Sequence, residues 1–142
     1  MIPKKRIILA SIVVGLLGAL IGGLWGNHWA NQGIGIDIEV ILPAGIISGF
    51  LSCFFVSRWY LKCMGNRKWQ WGILFGPLFA GLAGAISGAV TSISVGIEEG
   101  RGILSVIPGL MTGLLFGSFS GAVVGLIFSV IFSPFVLDWL KK

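Results

Sequence analysis

The amino-acid sequence predicts an all-α polytopic membrane protein whose four transmembrane helices form two hairpins, the second a parallel repeat of the first. Three observations predict this fold. Charged residues make up 11% of the 142-residue chain, against about 25% in a typical soluble protein. Four long segments contain no ionisable side chain. Two sequence blocks recur, after 66 and 64 residues.

The four uncharged segments are each long enough to cross a bilayer, which takes about 20 apolar residues in a helix. They cover residues 7–26, 40–57, 69–97 and 102–137. Lys4, Lys5 and Arg6 precede the first segment as they would in a signal peptide, but its 20 residues exceed the roughly 7–15 of a signal-peptide core. We therefore predict that it is retained as the first transmembrane helix.

Prolines predict where the returning helix of each hairpin begins and ends. Pro43 and Pro108 each stand before a returning helix, where the missing N–H costs little. The last uncharged segment is too long for one straight span and too short for two, so we predict a helix between Pro108 and Pro134. Residues 135–140 are then expected to lie along the membrane interface.

The internal repeat is visible in two blocks of sequence. The motif GLLGALIG at 15–22 returns as GLAGAISG at 81–88, and PAGIISGF at 43–50 is similar to IPGLMTGL at 107–114. A near-constant offset predicts a duplicated structural unit. We predict a single membrane domain with repeats over about 7–63 and 69–137, related by a pseudo-twofold axis along the membrane normal because equivalent helices run in the same direction.

The distribution of charge predicts the orientation of the chain. Nine of the ten basic residues fall before the first span, between the second and third, or at the end of the chain, whereas Arg101 stands alone on the other side. Cytoplasmic loops are enriched in Lys and Arg, so both termini are predicted to be cytoplasmic, in a plasma (inner) membrane. Topology and contact with lipid headgroups explain the basic excess, and no nucleic-acid binding is expected.

Glycines spaced four residues apart predict tight, glycine-zipper packing between helices. Because lipid tails are as apolar as leucine, helices in a bilayer associate through small residues that let their backbones approach. The rows lie in the first, third and fourth spans, and they are Gly18, Gly22 and Gly26; Gly84 and Gly88; and Gly109, Gly113, Gly117, Gly121 and Gly125. We expect these rows either to pack only inside the chain or also to contact another protein.

No residue pattern predicts catalysis, a metal site or a bound cofactor. The four spans contain no acidic side chain on which a proton- or sodium-coupled pump would be built. His28 is the only histidine, and one imidazole without a second ligand makes a poor metal or haem site. A third function, an enzyme acting on lipids, would have to use His28 together with the outer acidic residues.

Two polar sets are candidate binding residues. The acidic residues of the two outer loops would attract a cation or a basic partner loop, or else act as solvated charges that set topology. They are Asp37, Glu39, Glu98 and Glu99. Ser87 and Thr91 lie one turn apart in the third span. They would either line a path for a small solute or bond to a carbonyl one turn back as small packing residues.

These observations predict a non-enzymatic accessory or assembly subunit, which packs against other transmembrane helices in a larger membrane complex or oligomer. Its expected partners are the lipid bilayer and either other membrane subunits or further copies of itself. The alternative is a homo-oligomeric channel or uncoupled transporter for a small solute, with Ser87 and Thr91 on its path. Solute flux through the purified protein in liposomes distinguishes the two functions.

Overall fold

The computed structural model describes residues 3–31, 38–64, 69–98 and 103–141, and these residues contain four α-helices. The helices are α1 (Lys4–Ala30), α2 (Ile38–Met64), α3 (Trp69–Glu98) and α4 (Ile103–Lys141). Each contains a stretch of at least 25 residues that is long and apolar enough to cross a membrane. The prediction of an all-helical chain with four helices able to span a membrane is therefore confirmed.

The prolines lie inside the helices and not at their ends. α2 and α4 each begin five residues before a proline, so Pro43 and Pro108 are each the sixth residue of a helix. α4 also continues through Pro134 to its end at Lys141. The boundaries predicted at these prolines, and the separate segment predicted after Pro134, were wrong. A proline removes one backbone hydrogen bond, whereas ending a helix inside a bilayer leaves several polar groups without partners, so the helix continues.

The helices pack in the order in which they follow one another along the chain. α1 packs against α2, α2 against α3, and α3 against α4. Within the described residues, α1 and α4 make no extensive contact. The arrangement is a row of helices and not a closed four-helix bundle, so the first and last helices each keep a side that faces away from the rest of the chain.

Many large apolar side chains are exposed while several small polar ones are buried, the reverse of the usual pattern in a water-soluble protein. Leu115 and Phe119 are 70% and 72% exposed, whereas Ser48 and Ser52 are 4% and 5% exposed. In a bilayer the large apolar side chains can face lipid, and close packing between helices falls to small residues. This pattern directs attention to the helix–helix interfaces as the candidate functional site.

One apolar cluster closes the end of the first hairpin. Ile7 of α1 packs with Leu61 and Met64 of α2, and Phe75 of α3 lies against them. The start of α1 therefore lies beside the end of α2, close to the start of α3. This is the end of the molecule at which the basic side chains of α1 and α2 are found.

Candidate functional site

The α1/α2 interface is formed by two pairs of glycines. A Cβ atom added to Gly22 would overlap the carbonyl oxygen of Gly45, and one added to Gly45 would overlap the carbonyl oxygen of Gly22. Gly18 and Gly49 face each other in the same way, one turn along. The two backbones are therefore in direct contact, and a side chain at any of these four positions would push the helices apart.

The α3/α4 interface repeats this arrangement. Gly84 faces Gly117 and Gly88 faces Gly113, and in each pair an added Cβ would overlap the carbonyl oxygen of the partner glycine. The contact continues along α4, where Gly121 lies against the backbone of α3. From one pair to the next the residue number rises on α3 and falls on α4. The two helices therefore run antiparallel and in continuous contact, as α1 and α2 do.

The ends of the glycine rows differ from their centres. A Cβ on Gly125 would overlap the Ala80 side chain, and one on Gly26 would lie 2.9 Å from the carbonyl oxygen of Ile41. Gly109 is different, since the nearest atom to its added Cβ is the Cβ of Ser92, at 3.9 Å, which is an ordinary contact. Of the ten glycines predicted to pack helices, Gly109 is the one that has room for a side chain.

Gly45 and Gly49 were not among the predicted packing residues, although each lies opposite a predicted one. Their four-residue spacing on α2 was the available signal, and Cys53 extends it by one more turn. The added Cβ of Gly18 would lie 2.6 Å from the Cys53 sulfur. A row of only two glycines is a weak pattern alone, and it becomes informative once α1 is known to be its partner.

The α2/α3 interface joins the two hairpins through side chains. The hydroxyl oxygen of Ser48 on α2 lies 3.0 Å from that of Ser87 and 3.0 Å from that of Thr91, both on α3. We call these three residues the hydroxyl cluster. Ser87 and Thr91 were predicted as a pair, whereas Ser48 was not, and the structure brings all three together between the hairpins.

Each hydroxyl of the cluster has one proton and can therefore donate one hydrogen bond. Thr91 donates to the carbonyl oxygen of Ser87 at 2.9 Å. Ser48 can then donate to Thr91, and Ser87 to Ser48, which closes a loop with no unused donor. Several other serine and threonine hydroxyls bond within their own helix, as that of Ser94 does to the carbonyl of Val90. Bonding one turn back was one of the two predicted uses of these side chains.

Aromatic side chains hold the other end of the α2/α3 interface. Phe79 of α3 lies between Trp59 and Tyr60 of α2, with ring centroids 5.1 Å and 5.4 Å away. The Tyr60 hydroxyl donates to the carbonyl oxygen of Gly72 at 3.2 Å. The hairpins are therefore joined by directional side-chain contacts at two levels, and no pair of facing glycines lies between these two levels in the described residues.

A shallow groove of about 650 Å³ runs along the α3/α4 hairpin. Its lining places the small residues Gly81, Ala85 and Ala122 among larger ones such as Leu82 and Phe119. We call it the lateral groove. It is almost wholly apolar, and no other part of the described chain covers it.

The outer acidic residues fall mostly outside the described part of the chain. Glu39 is exposed in the first turn of α2, where a negative charge is favourable next to the positive end of the helix dipole. Asp37, Glu99 and the side chain of Glu98 lie outside the described residues. Their predicted clustering at a cation or partner site therefore stays a prediction.

His28 lies near the end of α1 with its side chain exposed. Its ring meets that of Trp25 edge to face, with centroids 5.9 Å apart. Among the described residues, no three His, Cys, Asp or Glu side chains are placed so that they could hold a metal ion.

Ser11 is a buried hydroxyl that the sequence did not single out. It is 0% exposed, and its oxygen is the one buried side-chain polar atom in the described residues without a hydrogen-bond partner. The glycine pairing places it level with Val56 in the α1/α2 interface. The α1/α2 interface therefore buries a hydroxyl that makes no hydrogen bond.

Comparisons with protein-family models, with curated proteins and with solved structures found no match to this chain. The features of the molecule that bear on its function are the interfaces, the lateral groove and the charge distribution.

Proposed function

We propose that this chain is a non-enzymatic integral membrane subunit, which packs its helices against those of other membrane proteins or of further copies of itself and so assembles or stabilises a larger complex. The observation that supports this best is the uncovered lateral groove on a row of helices that does not close on itself. Small residues flanked by large ones are what lets one helix approach another in a bilayer.

The glycine rows support a role inside the chain. The rows of α1, α3 and α4 each face the neighbouring helix of the same hairpin, which is the geometry expected of glycine-zipper packing. Apart from Gly109, every glycine of these rows already lies against the neighbouring helix and is not available to a partner. The contact with another protein is therefore proposed at the lateral groove instead.

We further propose that the hairpins are parallel repeats of one unit. Gly18 and Gly22 are related to Gly84 and Gly88 by 66 residues, and each has the same role in its own hairpin. Their partners, Gly45 and Gly49 in one hairpin and Gly113 and Gly117 in the other, are related by 68 residues. The sequence match alone gives 64 for the returning helix, one turn less, because a row with a period of four also matches itself after a shift of four.

The charge distribution supports an inner-membrane protein with both termini in the cytoplasm. The described basic residues of α1 and α2 lie together at the end of the first hairpin where the chain begins, and Glu39 lies at the opposite end. The enrichment of Lys and Arg in cytoplasmic segments is the reason for this assignment. Fusing a reporter that is active only in the cytoplasm to either terminus tests it.

A homo-oligomeric channel or uncoupled transporter is the second candidate, and the hydroxyl cluster is the observation that favours it. Ser48, Ser87 and Thr91 form a polar group inside an otherwise apolar structure. A solute path would have to open between the hairpins and break these bonds. This function predicts flux of a small neutral solute in liposomes, and loss of that flux when Thr91 is replaced by Leu.

Native mass spectrometry of the tagged protein, extracted gently from its own membrane, tests the assembly function. We expect stoichiometric additional subunits or a homo-oligomer. Filling the lateral groove with the double variant Ala85→Leu and Ala122→Leu is expected to remove them. Thr112→Leu is the control, because this exposed residue lies on α4 outside the groove and its hydroxyl bonds within its own helix, to the carbonyl of Pro108.

A lone monomer under these conditions, with the fold intact by circular dichroism, contradicts the assembly function and leaves the liposome flux assay as the next measurement. Equal loss of subunits in the groove variant and in the control would contradict the lateral groove as the docking surface.

A further inference from the structure

Five basic residues lie at one end of the first hairpin. Ile7 packs against Leu61 and Met64, so the first turn of α1 lies beside the last turns of α2. We call the basic side chains of these turns the basic cluster. It consists of Lys4, Lys5, Arg6, Arg58 and Lys62.

No described carboxylate lies near the basic cluster. Glu39 is the one acidic residue whose side chain falls within the described part of the chain, and it begins α2, whereas Lys62 is in its last turn. At a rise of 1.5 Å per residue the two are about 35 Å apart. Lys5 and Lys62 are exposed and Arg58 is half-buried, so the cluster presents positive charge at the surface.

Exposed apolar side chains lie directly below these charges. On α1, Leu9 is 54% exposed and lies one turn from Lys5. On α2, Phe55 and Trp59 are 60% and 55% exposed, and they share a helical face with Lys62 because the three are spaced by four and three residues. The surface therefore changes from cationic to apolar over one to two helical turns.

We propose that the basic cluster is a binding site for an anionic phospholipid. The phosphate is held by Arg58 and Lys62, which lie one helical turn apart on α2. Lys5 of α1 adds positive charge at the same end of the hairpin, and the acyl chains lie along Phe55 and Trp59. The half-buried Arg58 supplies a planar guanidinium, which matches the geometry of phosphate oxygens. A free phosphate would use the cations alone, whereas a lipid also uses the apolar surface beneath them. This inference does not depend on the proposed assembly function.

The test is a lipid titration of the full-length protein in detergent, with bound lipids counted by native mass spectrometry. Phosphatidylglycerol is compared with phosphatidylcholine of the same acyl chains and with inorganic phosphate. The variant is the triple substitution K5Q, R58Q and K62Q. The matched control is R101Q, K141Q and K142Q, which removes the same three charges elsewhere in the chain.

We expect the natural protein to bind phosphatidylglycerol at least about tenfold more tightly than phosphatidylcholine, since each basic residue near an anionic surface contributes about 1 kcal/mol. The K5Q, R58Q and K62Q variant is expected to lose this preference and the control to keep it, both with unchanged helical content by circular dichroism.

Three results would overturn the proposal. Equal binding of the two lipids by the natural protein removes the selectivity on which it rests. Equal loss of the preference for phosphatidylglycerol in both triple variants means that net charge alone attracts the lipid. Displacement of phosphatidylglycerol by millimolar inorganic phosphate means that the cluster recognises a free anion and does not use the apolar surface.

Discussion

The interfaces within the hairpins and the interface between the hairpins use different kinds of contact. Within each hairpin, glycines bring two backbones into contact, as Gly22 and Gly45 do. Between the hairpins, side chains make the contact, through the hydroxyl cluster at one level and through Trp59, Tyr60 and Phe79 at another. The chain therefore relies on close backbone packing within each hairpin, and on hydrogen bonds and aromatic contacts between the hairpins.

Contacts between side chains are expected to tolerate substitution better than contacts between backbones. A backbone contact has no side chain that can move aside, so an added methyl group must separate the helices. A hydroxyl that loses one bond can still bond to a carbonyl of its own helix, as Thr91 does to Ser87. We therefore expect the hairpins to be the stable units and the interface between them to be the weaker part of the fold.

The largest effect is expected from adding one methyl group at the centre of a hairpin. Gly117→Ala places a Cβ on the carbonyl oxygen of Gly84, and we expect the free energy of unfolding to fall by about 1–3 kcal/mol, the usual cost of overpacking. The measurement is SDS titration of the protein in detergent micelles, followed by circular dichroism.

Gly109→Ala is the matched control, because its Cβ would lie 3.9 Å from the nearest atom. It carries the same gain in helix propensity as any Gly→Ala change, so it separates propensity from packing. We expect it to leave stability unchanged or to raise it slightly. Equal effects of the two substitutions would contradict the close approach at Gly117.

The sequence predicted the number of helices for a physical reason, and the same reason lies behind the predicted glycine rows. A span that must exclude charge and a row of small residues at helical spacing are both local patterns. Gly109 has room for a side chain because residues four apart advance by about 40° around a helix, so the end of a five-residue row turns from its partner. Gly45 and Gly49 were missed because a short row gains meaning only from the helix opposite.

Local sequence patterns could not predict the helix ends or the hydroxyl cluster. Pro43 and Pro108 would limit a helix in water, but a bilayer offers the backbone no other partner, and the helices extend past them. Ser48 bonds across to a helix some 40 residues later in the chain. Which face of α2 meets α3 depends on how the hairpins dock, and no spacing within α2 encodes it.

A smaller effect is expected from the interface between the hairpins. Ser48→Ala removes both bonds to α3, and we expect unfolding free energy to fall by about 1 kcal/mol, within the range measured for hydrogen bonds between membrane helices. Ser52→Ala is the control, since Ser52 is equally buried and its hydroxyl donates to a carbonyl of its own helix, that of Gly49, at 3.3 Å. If both substitutions cost the same, the bonds between hairpins contribute nothing.

The smallest effect, with the opposite sign, is expected at Ser11. Ser11→Ala is the same chemical change as Ser48→Ala, made inside the α1/α2 interface at a hydroxyl that is fully buried and has no hydrogen-bond partner. A buried hydroxyl without a partner costs free energy, so its removal should leave stability unchanged or raise it by about 0.5–1 kcal/mol. The SDS titration that reports on Ser48→Ala measures it directly. A loss as large as that of Ser48→Ala would mean that the hairpin interface also depends on a hydroxyl bond, and the distinction between the two kinds of interface would fail.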